Sequence, residues 1–147
     1  MMKDCFIFDI DGTVADNKHR AIHLEGRPKR WDLYNATMAD DPPINHIVEV
    51  AKSIKSAGGT IVFCTGREEP FREITQAWLN NVMPFFEGLY MRAEKDYRPD
   101  EIVKLELLNR IKADGFNPLM AFEDRNKVVA MWRSNGVPCA QVAPGDF

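Results

Sequence analysis

The sequence lacks long hydrophobic segments, has few cysteines and carries no excess of positive charge. No apolar run approaches the roughly 20 residues of a membrane-spanning helix, and the first residues form no signal-peptide pattern, so we expect a cytoplasmic chain without membrane contact. Its three cysteines lie in apolar segments, which is typical of buried thiols and not of a disulfide framework or a zinc site. The net charge of −3 argues against extended, nonspecific wrapping of nucleic acid. It leaves open the recognition of a single terminal phosphate.

The 147 residues alternate between short apolar segments and amphipathic ones. Ordinary hydrophobic and charged fractions, 45% and 28%, together with the absence of repeats and linkers, predict a single domain over residues 1–147. Predicted strands cover residues 5–8, 60–64, 88–91, 119–122 and 137–142. Predicted helices begin at Asp41-Pro42-Pro43, at Pro70, near Asp100 and at Asn126. The third of these helices is expected to bury Ile102, Leu105, Leu108 and Ile111. This alternation predicts a three-layer α/β/α, Rossmann-like domain with a parallel sheet.

The first predicted strand ends in two carboxylates. Asp9 follows the apolar residues 5–8, and Asp11-Gly12-Thr13 comes directly after it. Ligands of parallel sheets bind beyond the carboxyl ends of the strands. Two acids this close repel each other unless a cation lies between them or their roles differ. With a divalent metal, one carboxylate can attack an electrophile while the other transfers a proton. An Asp-rich turn is the simpler alternative.

Two further predicted strands end in polar side chains, Thr65-Gly66-Arg67 after the second and Glu123-Asp124 after the fourth. The helix that follows the third strand carries Asp100 and Lys104, four residues apart on one face. Because parallel strands end at one edge of a sheet, we expect these groups to converge on Asp9. Oxygen ligands of this kind suit Mg²⁺, and the whole set suits phosphoryl transfer. Considered singly, Asp100 and Lys104 could form a surface ion pair. Glu123 and Asp124 could merely cap the helix that follows them.

Residues 15–41 form a polar insertion that is rich in basic and aromatic side chains. Insertions of this length inside a domain are often lids or binding loops. Its positive charge would suit an anionic substrate, and Trp31 or Tyr34 offers a ring face to a nucleobase. The alternative is a solvated loop anchored by its aromatic side chains.

The sequence resembles the haloacid dehalogenase (HAD) superfamily of phosphatases in four motifs that keep their order and spacing. These are residues 9–13, residues 65–67, Lys104 and the pair Glu123-Asp124. Within that superfamily it is similar to the 3′-phosphatase domain of phage-type polynucleotide kinase/phosphatase. The segments that carry this similarity are residues 98–104, 128–133 and 141–147.

The resemblance implies a HAD fold with a minimal cap insertion, a Mg²⁺ cofactor and an aspartyl-phosphate intermediate. Asp9 would be the nucleophile and Asp11 the general acid and base, while Thr65 and Lys104 would hold the transferring phosphate. The implied substrate-binding residues are Thr13, Arg67, Asp100 (which would orient Lys104) and an insertion arginine, for which Arg27 and Arg30 are candidates. The implied metal ligands are Asp9, Asp11 through its main-chain carbonyl, Glu123 and Asp124.

The substrate expected from the resemblance is a 3′-phosphate on a nucleic acid end or a nucleotide. A small-molecule phosphatase such as a 5′-nucleotidase, and a noncatalytic module that binds phosphorylated ends, are the two alternatives. The 147 residues hold no G-x-x-x-x-G-K-[ST] phosphate loop, so we expect no 5′-kinase activity from them. The insertion is too short for a large cap domain, which implies an open site able to admit a polymer end.

Overall fold

The computed structural model describes residues 2–83 and 85–147, in which five strands form one parallel sheet. The strands are β1 (Lys3–Phe8), β2 (Ile61–Glu68), β3 (Gly88–Arg92), β4 (Phe116–Glu123) and β5 (Cys139–Gln141). Their order across the sheet is β3-β2-β1-β4-β5, and each neighbouring pair is parallel. Parallel neighbours require a crossover connection, which the intervening helices supply. β1 therefore lies at the centre of the sheet.

Two hydrophobic clusters cover the two faces of the sheet. The α-helices are α1 (Lys18–Ala21), α2 (Trp31–Ala36), α3 (Asn45–Ser56), α4 (Arg72–Val82), α5 (Asp100–Ala113) and α6 (Asn126–Ser134). Successive residues of β1 point to opposite faces. Ile7 joins the cluster that contains the buried side chains of α5 and α6, and Phe8 joins the cluster of α3 and α4. The predicted three-layer α/β/α architecture is confirmed, and no helix among the described residues has the length and hydropathy to span a membrane.

Several local predictions were wrong. α3 begins at Asn45, so Pro42 and Pro43 precede it. β2 continues through Thr65-Gly66-Arg67 to Glu68, four residues beyond the expected strand end at residue 64. The buried residues of α5 are Val103, Lys104, Leu107, Leu108 and Ile111, whereas Ile102 is 46% exposed. Of the four residues expected to be buried, Leu108 and Ile111 are buried and Leu105 is partly buried. The hydrophobic pattern missed the rest of this face because its buried position 104 is occupied by a charged lysine.

The insertion is also more regular than a loop. It holds α1 and α2, with a short 3₁₀ helix after each. An isolated bridge pairs Ala15 with Pro43, and the Ile44 N–H donates to the Val14 carbonyl, so the two ends of the insertion meet beside β1. This closure brings side chains of the insertion to the carboxyl edge of the sheet.

Candidate active site

Asp9 lies immediately beyond the central strand, with its carboxylate held in place by two donors. Its N–H donates to the Phe122 carbonyl at 3.0 Å, which fixes the backbone against β4. The Thr13 hydroxyl donates to Asp9 Oδ2 at 3.1 Å, and Lys104 Nζ donates to Oδ1 at 2.9 Å. Only 5% of Asp9 is exposed. Thr13, predicted to bind substrate, thus contacts the predicted nucleophile directly.

Gly12 allows the turn after β1 to approach the end of β4. Its φ of +82° lies in the region that side chains disfavour, and a Cβ at this position would collide with the Asp124 carboxylate. A glycine is therefore required here for both conformation and space. The turn brings the β1 acids and the β4 acids together.

Lys104 is buried among three carboxylates. Its Nζ lies 2.9 Å from Asp9, 2.9 Å from Glu123 and 3.4 Å from Asp100. Burial alone would lower its pKa, but the negative charges of Asp100, Asp9 and Glu123 outweigh burial and hold the pKa of Lys104 well above its usual value. The lysine is therefore a fixed positive charge beside the nucleophile, and the surface ion-pair alternative for Asp100 and Lys104 is wrong.

Three of the predicted metal ligands form one acidic cluster. Carboxylate oxygens of Asp9, Glu123 and Asp124 all lie within 4.8 Å of one another. Burial, and after it the negative charge of Glu123, raises the pKa of Asp9 to about 8. Burial, and after it the negative charge of Asp9, raises the pKa of Asp124 to about 8. Neighbouring carboxylates repel each other when both are ionised, and a divalent cation bound between them would remove this repulsion. The hard oxygen donors fit a cation such as Mg²⁺.

Asp11 is held by two guanidinium groups. Arg20 Nη2 donates to its Oδ1 at 2.7 Å, while Arg67 donates through Nη2 to Oδ1 at 2.8 Å and through Nε to Oδ2 at 3.1 Å. Burial would raise the pKa of Asp11, but Arg67 and then Arg20 overcome that effect and the net pKa is lowered. The second acid of the motif is therefore the readily ionised one, in contrast to Asp9.

Asp41 lies behind these arginines and was missed as a site residue. Its carboxylate accepts two bonds from Arg20, one from Arg67 Nη2 at 3.3 Å and one from the His19 ring at 2.7 Å. Its own side chain is fully buried. Trp78 Nε1 donates to its main-chain carbonyl at 2.8 Å, which anchors the backbone to α4. The sequence suggested only a helix start at this position.

The structure identifies Arg20 as the insertion arginine at the site. It is 1% exposed, whereas Arg27 and Arg30 are exposed on the insertion and Arg30 pairs with the exposed Asp32. The Tyr34 ring packs on the Arg20 guanidinium at 4.3 Å. One face of the Tyr34 ring is therefore occupied by Arg20, and the structure does not bring Arg27 or Arg30 to Asp11.

Thr65 and Asp100 are both near the site, at different depths. Thr65 is 1% exposed and its Oγ1 accepts a bond from the Arg67 N–H at 3.1 Å. Asp100 Oδ1 accepts a bond from Arg92 Nη2 at 3.1 Å while its Oδ2 faces Lys104. A Cβ on Gly66 would collide with Asp100, so this glycine permits the close approach of β2 and α5.

A cleft of about 1590 Å³ opens over these residues. Its walls combine the strand ends, the insertion and the loop between β3 and α5. Among its lining residues are Asp9, Asp11, Lys29, Trp31, Arg67, Tyr97, Asp124 and Phe147. The cleft exceeds the 300–1,000 Å³ that is usual for small-molecule pockets. Six of the predicted site residues line this wide groove: Asp9, Asp11, Arg67, Asp100, Glu123 and Asp124. Thr13, Thr65 and Lys104 are buried beneath it, where Thr13 and Lys104 contact Asp9 and Thr65 contacts the Arg67 backbone.

Residues 3–147 match the family model described as polynucleotide kinase PNKP phosphatase domain. A chain of the Pnkp1/Rnl/Hen1 complex is 34% identical, with a TM-score of 0.82 over 99% of this chain and 47% of that one. A protein of Autographa californica nuclear polyhedrosis virus, named "Putative bifunctional polynucleotide kinase/RNA ligase", is 28% identical over 131 residues, which is 88% of this chain and 18% of the viral protein.

A more distant structure shares the fold. The class C acid phosphatase from Bacillus anthracis with tungstate bound is 20% identical, with a TM-score of 0.66 over 87% of this chain and 54% of that chain. The chain therefore spans less than half of the Pnkp1/Rnl/Hen1 component and under a fifth of the viral protein. The similarity therefore concerns only the matched portion of each of these larger proteins.

Proposed function

Because the chain belongs to the family of polynucleotide kinase PNKP phosphatase domains, we propose that it removes the 3′-phosphate from a nucleic acid end. The observation that carries the proposal is the environment of Asp9: a carboxylate aligned by Thr13 and Lys104, beside two more acids, at the base of a wide cleft. A groove of this size admits a polymer end, whereas a mononucleotide would leave most of it filled with water. The enzyme is thus a phosphomonoester hydrolase of the HAD class.

Asp9 is the proposed nucleophile. One of its oxygens attacks the phosphorus, and the bond from phosphorus to the 3′-oxygen breaks, which leaves an aspartyl-phosphate. Lys104 stabilises the negative charge on the transferring group and keeps the surrounding acids from repelling it. Attack requires ionised Asp9, which metal-free protein disfavours because the pKa is raised to about 8.

Mg²⁺ is the proposed cofactor, which Asp9 and Asp124 would hold with Glu123 close by. The resemblance to the HAD superfamily adds the main-chain carbonyl of Asp11 as a further ligand. When bound, Mg²⁺ supplies positive charge that favours the ionised form of the acids and neutralises phosphate oxygens. Every other part of the chemistry comes from the side chains of this chain.

Asp11 is the proposed proton carrier. It donates a proton to the departing 3′-oxygen and later accepts one from the water that attacks the aspartyl-phosphate, after which inorganic phosphate leaves. Arg67, which lines the cleft, binds the phosphate group, whereas the buried Arg20 holds Asp11 from beneath the cleft. Since Arg67 and Arg20 hold Asp11 ionised in the free protein, an incoming phosphate that competes for Arg67 weakens this ion pairing. Asp11 then takes up from the solvent the proton that it donates to the 3′-oxygen.

A substrate panel tests the proposal. Phosphate release is measured from a 3′-phosphorylated oligonucleotide and from 5′-nucleotides, each with Mg²⁺ and with EDTA. We expect Mg²⁺-dependent turnover of the oligonucleotide, abolished in Asp9→Asn. Asp4→Asn is the matched control, because Asp4 lies on the same strand at its opposite, exposed end. An inert oligonucleotide combined with rapid hydrolysis of 5′-nucleotides would replace this proposal with a small-molecule phosphatase.

A further inference from the structure

Most of the strongly exposed aromatic side chains line the cleft. Among the aromatic residues that the structure describes, four are more than half exposed: Trp31 (53%), Tyr97 (83%), Phe147 (63%) and Phe85 (64%). Three of these four line the cleft above Asp9, and only Phe85 does not. Ring faces left in water are unfavourable, so their concentration at one groove points to a ligand with flat, apolar faces.

Tyr97 is presented by a tightly tethered loop. Arg92, the last residue of β3, donates to the carbonyls of Asp96 at 2.9 Å and Arg98 at 2.7 Å, which ties both neighbours of Tyr97 to β3. Arg92 also donates to the Gly66 carbonyl of β2 at 2.8 Å. Arg98 also makes paired bonds to the Asp96 and Glu106 carboxylates. With both flanking residues fixed, the tyrosine projects into the cleft without a loop that must be ordered on binding.

Trp31 provides a second ring on the insertion side of the cleft. The neighbouring Tyr34 ring lies at right angles to the indole, with the two centroids 5.7 Å apart, and 53% of Trp31 stays exposed. Lys29 Nζ lies 6.0 Å from the indole centroid, and Lys18 lines the same wall. Rings interleaved with positive charges are the arrangement that binds bases together with their phosphates.

We propose that Tyr97 and Trp31 are stacking platforms for the unpaired bases next to the terminal phosphate, so that the preferred substrate is a single-stranded 3′ end. This inference rests on the proposed function, because it assigns the polymer that the same active site accepts. In a duplex, neighbouring base pairs cover both faces of every base except the outer face of the terminal pair, so two successive bases cannot both stack on these rings. A sugar-phosphate chain without bases offers nothing to stack.

The test compares two single-stranded oligonucleotides with 3′-phosphates, one with ordinary bases and one abasic at its last two positions. We expect wild-type kcat/KM to favour the ordinary oligonucleotide at least about tenfold. Tyr97→Ala and Trp31→Ala should each lower kcat/KM for it at least about fivefold and reduce the preference. Tyr97→Phe should restore the preference because it keeps the ring. Phe85→Ala is the control, an equally exposed aromatic outside the cleft.

Equal hydrolysis of both oligonucleotides by wild type, or equal losses on both in the alanine variants, would overturn the inference. Binding separates this result from failure of the proposed function. Fluorescence anisotropy in EDTA measures the affinity of a labelled single strand without turnover, and the dissociation constant should rise at least about fivefold in Tyr97→Ala. Unchanged affinity rejects the stacking role even if no substrate is hydrolysed, whereas tight base-dependent binding without hydrolysis rejects only the phosphatase reaction.

Discussion

Arg20 and Asp41 form a bidentate ion pair beneath the cleft, with Nε donating to Oδ1 at 2.8 Å and Nη2 to Oδ2 at 2.6 Å. Both side chains are fully buried. The same arginine reaches Asp11, so Asp41 fixes the group that contacts the proposed proton carrier. The site therefore depends on a carboxylate that does not itself line the cleft.

The first prediction concerns this pair. Asp41→Ala leaves Arg20 buried without its main counter-charge, which should lower the free energy of unfolding by about 3–5 kcal/mol. Chemical denaturation measures the change. The exposed neighbour Asp40, replaced by alanine, should change stability by less than about 0.5 kcal/mol. A stability of Asp41→Ala close to that of Asp40→Ala would mean that the buried pair is not maintained in solution.

The second prediction separates the arginines of the insertion. Arg20→Ala should reduce kcat/KM at least about 30-fold, since truncating a buried charged partner costs about 2–5 kcal/mol. Arg27→Ala and Arg30→Ala should stay within about twofold of wild type, because both side chains are exposed and the Arg30–Asp32 pair is of the weak surface type. Steady-state phosphate release measures all three variants. A larger loss in Arg30→Ala than in Arg20→Ala would contradict the assignment from the structure.

The third prediction concerns Lys104. Replacement by methionine keeps the volume and removes the positive charge from among three acids, so kcat should fall at least about 100-fold. The variant should also be less stable at pH 7 than at pH 5, where the acids can take up protons. Lys112→Met, on the exposed face of the same helix, is the control. Activity within a few-fold of wild type would remove Lys104 from the catalytic set.

The fourth prediction is a pH dependence of the metal-free protein. The pKa of Asp9 and that of Asp124 are each raised to about 8, so the folded state binds protons that the unfolded state releases near pH 4. These groups stabilise the fold at low pH, and that contribution is lost as the pH rises towards 8. The melting temperature in EDTA should therefore fall from pH 5 to pH 8.

Mg²⁺ provides the complementary measurement. A bound cation favours the ionised carboxylates, so excess Mg²⁺ should reduce or reverse the fall in melting temperature. Asp124→Asn removes one of the two titrating acids and should flatten the metal-free profile. A melting temperature in EDTA that rises steadily between pH 5 and pH 8 would contradict the raised pKa values.

The sequence determined the fold class and the main parts of the site through local patterns. Each uninterrupted apolar segment predicts a buried strand, and each amphipathic segment predicts a helix, without knowledge of the rest of the chain. Parallel strands then place their carboxyl ends at one edge of the sheet. For that reason Asp9, Asp11, Lys104 and Asp124 could be expected together although they lie far apart along the chain. Prolines and other helix-start residues predicted the ends of helices less well, as the start of α3 after Pro42-Pro43 shows.

Only the tertiary structure decided which of several similar charges belong to the site. One basic segment contains Arg20, Arg27 and Arg30. The insertion folds back against β1, and this fold buries Arg20 but leaves the other two arginines exposed. Asp41 similarly looked like a helix-start residue until Arg20 and Arg67 were found on its carboxylate. Burial and charge pairing arise from contacts between distant segments, so residue type and spacing alone do not specify them.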